Sequence, residues 1–124
     1  MVIETKVNDY SQLNVWKLAY RMSLEIHQWS LQYPKLEQFE LASQLRRASK
    51  GICANIAEGF GKQSVSKAEF RRFILIAMGS ADEMRVWLMY SKDLGYITDK
   101  QYGILEQAYR DIAKMLNGLH KSWQ

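Results

Sequence analysis

The chain reads LASQLRRASKGICANIAEG from residue 41 to residue 59. In this stretch an apolar residue recurs every three or four positions, the spacing of one face of an α-helix, and these residues are Leu41, Leu45, Ala48, Ile52 and Ile56. Many of the positions between them are polar, so the stretch predicts a helix with one buried face. Glycine commonly follows the last turn of a helix, and we therefore expect Gly59 to end this one.

Three similar segments surround this helix, and the residues between them favour breaks. Pro34 cannot continue a helix, and Gly95 permits a turn. Ser66 and Thr98 each precede a glutamate or glutamine by three residues, which is the spacing of a helix-starting capping box. The sequence predicts helices at about residues 13–31, 37–58, 66–94 and 98–121, with a flexible hinge at residues 59–61. Short connections favour an all-α, single-domain antiparallel bundle, up-down-up-down, spanning residues 1–124.

The third predicted helix is apolar on two faces. The stripe expected to face the core consists of Phe70, Phe73, Ile74, Ala77, Ala81, Met84 and Leu88. A second stripe, rotated away from the first, consists of Leu75, Ile76, Met78, Val86, Met89 and Tyr90. Because a four-helix bundle buries one face of each helix, the second stripe predicts contact with another subunit in a homo-oligomer. The alternative is a monomer with an unusually apolar surface.

The positive charge is concentrated in one part of the chain. The whole sequence contains 17 Lys and Arg against 13 Asp and Glu, a net charge of +4, whereas residues 43–72 alone have a net charge of +5. A local basic patch is typical of a protein that binds a polyanion. We therefore assign nucleic-acid binding to Arg46, Arg47, Lys50, Lys62, Lys67, Arg71 and Arg72. The alternatives are a solvated helix surface, or ion pairs of Arg46 or Arg47 with Glu58, Glu69 or Glu83.

Two polar residues lie in the last predicted turn of the second helix, close to its apolar face. They are Asn55 and Glu58. A buried amide or carboxylate must find hydrogen-bond partners or destabilise the fold. We therefore predict a structural polar network between the second and third helices, formed by Asn55, Glu58, Ser80 and Glu83. The alternative is that Asn55 and Glu58 bind a small molecule.

The sequence carries no pattern of an enzyme, a metal site or a cofactor site. His27 and His120 each lie near a predicted helix end, where a surface histidine is expected, and Cys53 lies among apolar residues, where a structural thiol is expected. No glutamate precedes a histidine by three residues, which excludes the di-iron type of bundle. Residues 59–64, GFGKQS, lack the Gly-Lys-Ser/Thr order of a phosphate-binding loop.

The sequence also lacks the signals of a secreted or membrane protein. The longest uncharged apolar run, residues 74–81, is too short to span a membrane. No basic and apolar leader opens the chain, and a single cysteine fits a reducing compartment. We therefore expect a cytoplasmic protein with no membrane association.

Two motifs resemble those of a known family. They are QLRRA at residues 44–48 and NIAEG at residues 55–59, and further matching segments lie at residues 13–19, 70–80, 94–97 and 114–119. In these segments the chain resembles the four-helix-bundle family of 23S rRNA intervening-sequence proteins, over about residues 13–121. One departure is Cys53, which stands where the family often has proline.

The resemblance implies a ring-shaped homopentamer of four-helix bundles, encoded within insertions in bacterial 23S rRNA genes or elsewhere in the genome. No enzymatic activity is established for the family. A related branch, the accessory proteins of diversity-generating retroelements, is thought to bring nucleic acid to a reverse transcriptase. With the basic residues, this predicts a non-enzymatic oligomer that binds RNA or DNA, with structured RNA favoured. The alternative is a scaffold that docks a polymerase or a ribosomal protein through the apolar surface of the third helix.

Overall fold

The computed structural model describes residues 7–123, and these form an all-α single domain with four long helices. The helices are α1 (Asn14–Ser30), α2 (Leu41–Lys62), α3 (Lys67–Asp93) and α4 (Asp99–Ser122). Two short 3₁₀ turns, Tyr10–Gln12 and Lys35–Glu37, precede α1 and α2. Residues 7–123 contain no strand, so the predicted all-α class and the number of helices are confirmed.

The starts of α3 and α4 follow the predicted capping signals. The Ser66 hydroxyl accepts the backbone N–H of Glu69 at an N···O distance of 3.1 Å. Thr98 Oγ1 accepts the N–H of Gln101 at 3.1 Å, and the Gln101 side chain accepts the N–H of Thr98 at 2.8 Å, which completes a capping box. Between the two helices Gly95 has a φ of +84°, a left-handed conformation that glycine adopts without steric strain.

The limits of α2 differ from the prediction of residues 37–58, because the helix extends from Leu41 to Lys62. The predicted hinge at residues 59–61 is therefore helical, and Gly59 lies inside α2, buried, and does not end it. A Cβ atom at this position would lie 2.9 Å from the Cβ atom of Phe73 and 3.3 Å from the carbonyl oxygen of Phe70. Gly59 thus permits the close approach of α3 to α2.

Replacing Gly59 by alanine is expected to destabilise the fold, because the new methyl group overlaps α3. We expect the free energy of unfolding, measured by urea denaturation and circular dichroism, to fall by about 1–3 kcal/mol. The control is Gly61→Ala in the same helix, where nothing lies within 4 Å of an added Cβ atom. Alanine favours a helix over glycine by about 1 kcal/mol, so the control should be more stable than the parent. Equal stability of the two variants would contradict the close contact at Gly59.

The core lies between the four helices and contains the predicted inner stripes. Every predicted stripe residue of α2 and α3 is buried, namely Leu41, Leu45, Ala48, Ile52 and Ile56 in α2, and Phe70, Phe73, Ile74, Ala77, Ala81, Met84 and Leu88 in α3. The other two helices complete the core with Val15, Ala19, Met22 and Ile26 from α1, and with Leu105, Tyr109, Ile112 and Leu116 from α4. The predicted inner stripes of α2 and α3 are therefore confirmed.

Contacts between consecutive helices pair the residues of each helix in a regular order. The pairs are Arg46 with Ser30 and Lys50 with His27 between α1 and α2, Arg47 with Glu83 and Gly59 with Phe73 between α2 and α3, and Arg85 with Glu106 and Arg71 with Trp123 between α3 and α4. In each case the residue number rises along one helix as it falls along the other. The α2–α3 turn and the end of α4 therefore lie together.

Candidate nucleic-acid interface

Four of the seven predicted basic residues surround the α2–α3 turn. Lys62 ends α2, Lys67 begins α3, and Arg71 and Arg72 follow one turn later. The connection is short, and the backbone N–H of Ser66 closes it by donating to the carbonyl of Lys62 at 2.9 Å. Lys62, Lys67 and Arg72 are exposed, and Arg71 is half-buried. We call these four basic residues the turn cluster.

Two members of the turn cluster line an open groove of about 460 Å³ where α3 meets the end of α4. We call it the basic groove, and it is lined by Ala68, Arg71, Arg72, Leu75 and His120. One guanidinium nitrogen of Arg71 donates a hydrogen bond of 2.9 Å to the backbone carbonyl of Trp123. The Trp123 ring packs on Phe70, with ring centroids 4.7 Å apart. These contacts hold the end of α4 against the first turns of α3.

The guanidinium group of Arg72 is accessible but held in place by two neighbours. Its Nε and Nη2 atoms each donate to the Glu69 carboxylate at 3.2 Å, and it lies over the ring of Phe73, 4.6 Å from the centroid. The hydrogen bonds from Arg72 lower the pKa of Glu69, so this carboxylate is charged at neutral pH. The Arg72 side chain is nevertheless 55% exposed, so solutes can reach it.

Arg47 and Lys50 lie earlier in α2, about 20 Å from the turn cluster at ~1.5 Å per residue. Arg47 donates to the side-chain oxygen of Gln44 at 2.6 Å and lies 3.4 Å from a carboxylate oxygen of Glu83. The Lys50 ammonium lies 2.8 Å from Nδ1 of His27. Both basic side chains are exposed. One of the alternative ion pairs, Arg47 with Glu83, is therefore present.

Arg46 has a structural role at the connection between α1 and α2. Its Nη1 atom donates to the Ser30 hydroxyl at 2.8 Å and to the side-chain oxygen of Gln38 at 3.3 Å, and its Nη2 atom donates to the Gln38 carbonyl at 2.8 Å. The amide of Gln38 in turn donates to the carbonyls of Ser30 and Tyr33 at 2.8 and 3.0 Å. The structure thus separates Arg46 from the turn cluster.

The residues predicted as one polar network, Asn55, Glu58, Ser80 and Glu83, are not joined to one another by hydrogen bonds within residues 7–123. The Asn55 amide donates to the carbonyl of Gly51 at 2.8 Å, one turn earlier in the same helix. Ser80 Oγ lies 3.4 Å from where a Cβ atom of Gly51 would be. Glu58 is exposed, and Glu83 forms the ion pair with α2 described above. Ser80 and Glu83 therefore contact α2 separately from Asn55, and the predicted network does not form within residues 7–123.

The reactive side chains of Cys53, His27 and His120 have different surroundings in residues 7–123. Cys53 is half-buried, and burial raises its pKa to about 11, so the thiol stays protonated at neutral pH. His27 lies beside Lys50, whereas His120 lies in the basic groove. In the described part of the chain no three His, Cys, Asp or Glu residues are placed to hold a metal ion. No helix there is long and apolar enough to cross a membrane.

Five of the six residues predicted in the second apolar stripe of α3 are exposed on the single chain. These residues are 41–54% accessible, and we call them the outer face of α3: Leu75, Ile76, Val86, Met89 and Tyr90. Met78, also predicted in this stripe, is instead partly buried against the core. Gly79 lies within the same face, and nothing is within 4 Å of a Cβ atom there. Several exposed apolar side chains on one helix face are typical of a protein–protein contact.

The sequence did not point to two residues of this region, His120 and Trp123. They lie about 50 residues from Arg71 in the chain, and the packing of α4 on α3 brings them together. The turn at Gly95 was the sequence feature that could have indicated which residues of α4 lie opposite Arg71. Counting equal numbers of residues along both helices from that turn places Arg71 opposite about residue 120.

Comparisons relate the chain to known proteins. A family model described as "23S rRNA-intervening sequence protein" matches residues 11–118. Among solved structures, the chain is similar to a protein with unknown function from the S23 ribosomal protein family of Bacteroides thetaiotaomicron. The two share 27% sequence identity with a TM-score of 0.76, and the match covers 86% of this chain and 95% of that chain. No curated protein matches this chain.

Proposed function

This chain belongs to the family of 23S rRNA-intervening sequence proteins, and we propose that it is a non-enzymatic oligomer that binds structured RNA through its basic residues. The turn cluster is the observation that carries this proposal. Its four cations come from two helix ends joined by a short turn, and three of them are exposed. Lysine and arginine contacts to phosphates give affinity for nucleic acid without requiring a particular base sequence.

The side chains around the turn cluster favour structured RNA over unpaired bases. Recognition of single strands depends on aromatic side chains that stack on the bases. Phe60, the nearest aromatic candidate in α2, is half-buried and packs against the core. The basic groove is lined by two arginines, His120, Ala68 and Leu75, and the ring of the neighbouring Trp123 is engaged with Phe70. Backbone contacts of this kind suit a folded RNA, which proteins recognise mainly by its shape and phosphates.

We infer that the helices run antiparallel, up-down-up-down, and that several copies assemble into a ring. The regular order of the contacts between consecutive helices supports the antiparallel arrangement. The outer face of α3 supports assembly, since it leaves five large apolar side chains exposed on one helix. The family resemblance favours a pentamer. Such a ring repeats the turn cluster in every copy and strengthens the field that attracts a polyanion.

A second candidate function is the docking of a protein partner, such as a polymerase or a ribosomal protein. The outer face of α3 favours it, because the same apolar surface can bind a different polypeptide in place of a second copy. The two functions differ in their response to salt. RNA binding by phosphate contacts weakens steeply as the salt concentration rises, whereas apolar docking does not.

Fluorescence anisotropy with a labelled RNA hairpin tests the proposed function. At about 50 mM salt we expect saturable binding that unlabelled hairpin competes away, because counterion release favours phosphate contacts under these conditions. Absence of binding at this salt concentration would contradict the proposal and favour a protein partner.

A further inference from the structure

We propose that the basic groove is the site that binds one phosphate group of the RNA, between the guanidinium groups of Arg71 and Arg72 and the imidazole of His120. This inference rests on the proposed RNA binding and assigns its anchoring contact to one place in the fold. It also excludes Arg46, Arg47 and Lys50 from that contact, although they belong to the same basic segment of the sequence.

Both arginines retain hydrogen-bond donors for a ligand. A guanidinium group has five N–H donors. Arg71 uses one of them on the carbonyl of Trp123 at 2.9 Å, and this contact fixes the side chain within the groove. Arg72 uses two on Glu69 and is held over the ring of Phe73. Two guanidinium groups on adjacent residues therefore have N–H donors left for phosphate oxygens.

The first turn of α3 adds positive potential to the groove. Ala68, which lines it, is the second residue of this helix of 27 residues. The first backbone N–H groups of a helix have no acceptor within the helix, and phosphate groups bind readily at such ends. The Ser66 hydroxyl takes up the N–H of Glu69, one residue after Ala68. The helix start and the two arginines thus act on the same groove.

The groove is open and, at about 460 Å³, large enough to admit a phosphate with its attached sugar. Glu69 opposes binding, because its carboxylate competes with the phosphate for Arg72. Exposed ion pairs of this kind are weak, so a phosphate that also contacts Arg71 can displace the carboxylate.

The first test introduces a negative charge into the groove. Ala68 is exposed, and glutamate is favourable in the first turn of a helix, so Ala68→Glu should fold normally. We expect it to weaken the binding of a labelled RNA hairpin at least tenfold at about 50 mM salt. The matched control is Ala54→Glu, which makes the same charge change at an exposed position of α2 outside the groove. We expect this control to weaken binding less than about twofold.

A second test expects a gain of binding, which a folding defect cannot produce. Glu69→Gln frees Arg72 and should tighten RNA binding about two- to fivefold. The control, Glu83→Gln, removes a carboxylate from the equivalent exposed pair with Arg47, and we expect a smaller change.

Hairpins with a 5′-phosphate and a 5′-hydroxyl distinguish the source of the phosphate. Preference for the 5′-phosphate that is lost in Ala68→Glu assigns a terminal phosphate, and equal affinities assign an internal one.

The outcomes separate the groove from the wider function. If the parent protein binds RNA and the two alanine-to-glutamate variants weaken binding equally, the assignment to the groove is wrong and the proposed function stands. Glu69→Gln binding no better than Glu83→Gln also overturns it. If the parent protein binds no RNA, the proposed function fails, and the groove proposal fails with it.

Discussion

Replacing Arg46 by alanine is expected to lower the free energy of unfolding by about 2–4 kcal/mol. The guanidinium group donates to the Ser30 hydroxyl and to two oxygens of Gln38, so its removal leaves three acceptors of the α1–α2 connection without this donor. Hydrogen bonds that involve a charged group contribute about 1.5–3 kcal/mol each, and partial exposure reduces the sum. Urea denaturation followed by circular dichroism measures the loss.

The adjacent arginine is the control for this prediction. Arg47→Ala removes an exposed side chain whose ion pair with Glu83 spans 3.4 Å, and such pairs contribute about 0–1 kcal/mol. We expect its stability to lie within about 1 kcal/mol of the parent. Similar losses in the two variants would contradict the structural role of Arg46. A loss of RNA affinity in folded Arg46→Ala would contradict the exclusion of Arg46 from the phosphate contact.

Placing a charge on the outer face of α3 is expected to abolish assembly. Met89 is 50% exposed in the single chain, so Met89→Asp should leave the fold intact. In an assembly that buries this face, the carboxylate would lose its hydration without gaining a partner. We therefore expect the subunit dissociation constant to rise more than about a hundredfold, since an unpaired buried charge costs several kcal/mol. In size-exclusion chromatography with light scattering, the variant should have the mass of one chain, 14.5 kDa, and the parent a multiple of that mass.

The matched control is Leu24→Asp on α1. The exposed fraction of Leu24, 51%, is similar to that of Met89. Leu24 lies on a different helix and outside the outer face of α3. This variant should keep the assembled mass of the parent. A parent protein of 14.5 kDa at micromolar concentration, or loss of assembly in both variants, is the result that would refute the role of α3.

The parts of the fold that the sequence predicts correctly depend on local or periodic signals. The inner and outer stripes of α3 follow from a repeat of 3.6 residues, and their burial and exposure agree with that repeat except at Met78. The starts of α3 and α4 follow from the Ser66 and Thr98 side chains, which bond to backbone groups three residues away. Interactions between residues three or four positions apart can be inferred from a single sequence.

The parts that the sequence predicts incorrectly depend on which helix lies opposite. Glycine is equally suited to ending a helix and to admitting a neighbouring one, and at Gly59 the position of Phe73 decides between the two. Arg46 and Arg47 are identical neighbours in the sequence, yet a rotation of about 100° per residue directs one to the α1–α2 connection and the other to the surface. The basic groove needs His120, which only the packing of α4 supplies.

The salt dependence of RNA binding tests most directly the claim that the turn cluster contacts phosphates. Each phosphate contact contributes about 0.7–0.9 to the slope of log affinity against log salt concentration. Three contacts, one each for Lys62 and Lys67 and one shared by Arg71 and Arg72 in the basic groove, predict that the affinity for an RNA hairpin falls roughly 20- to 40-fold between about 50 and 200 mM salt. An affinity that stays within about threefold over this range would contradict binding through phosphates and would indicate an apolar contact.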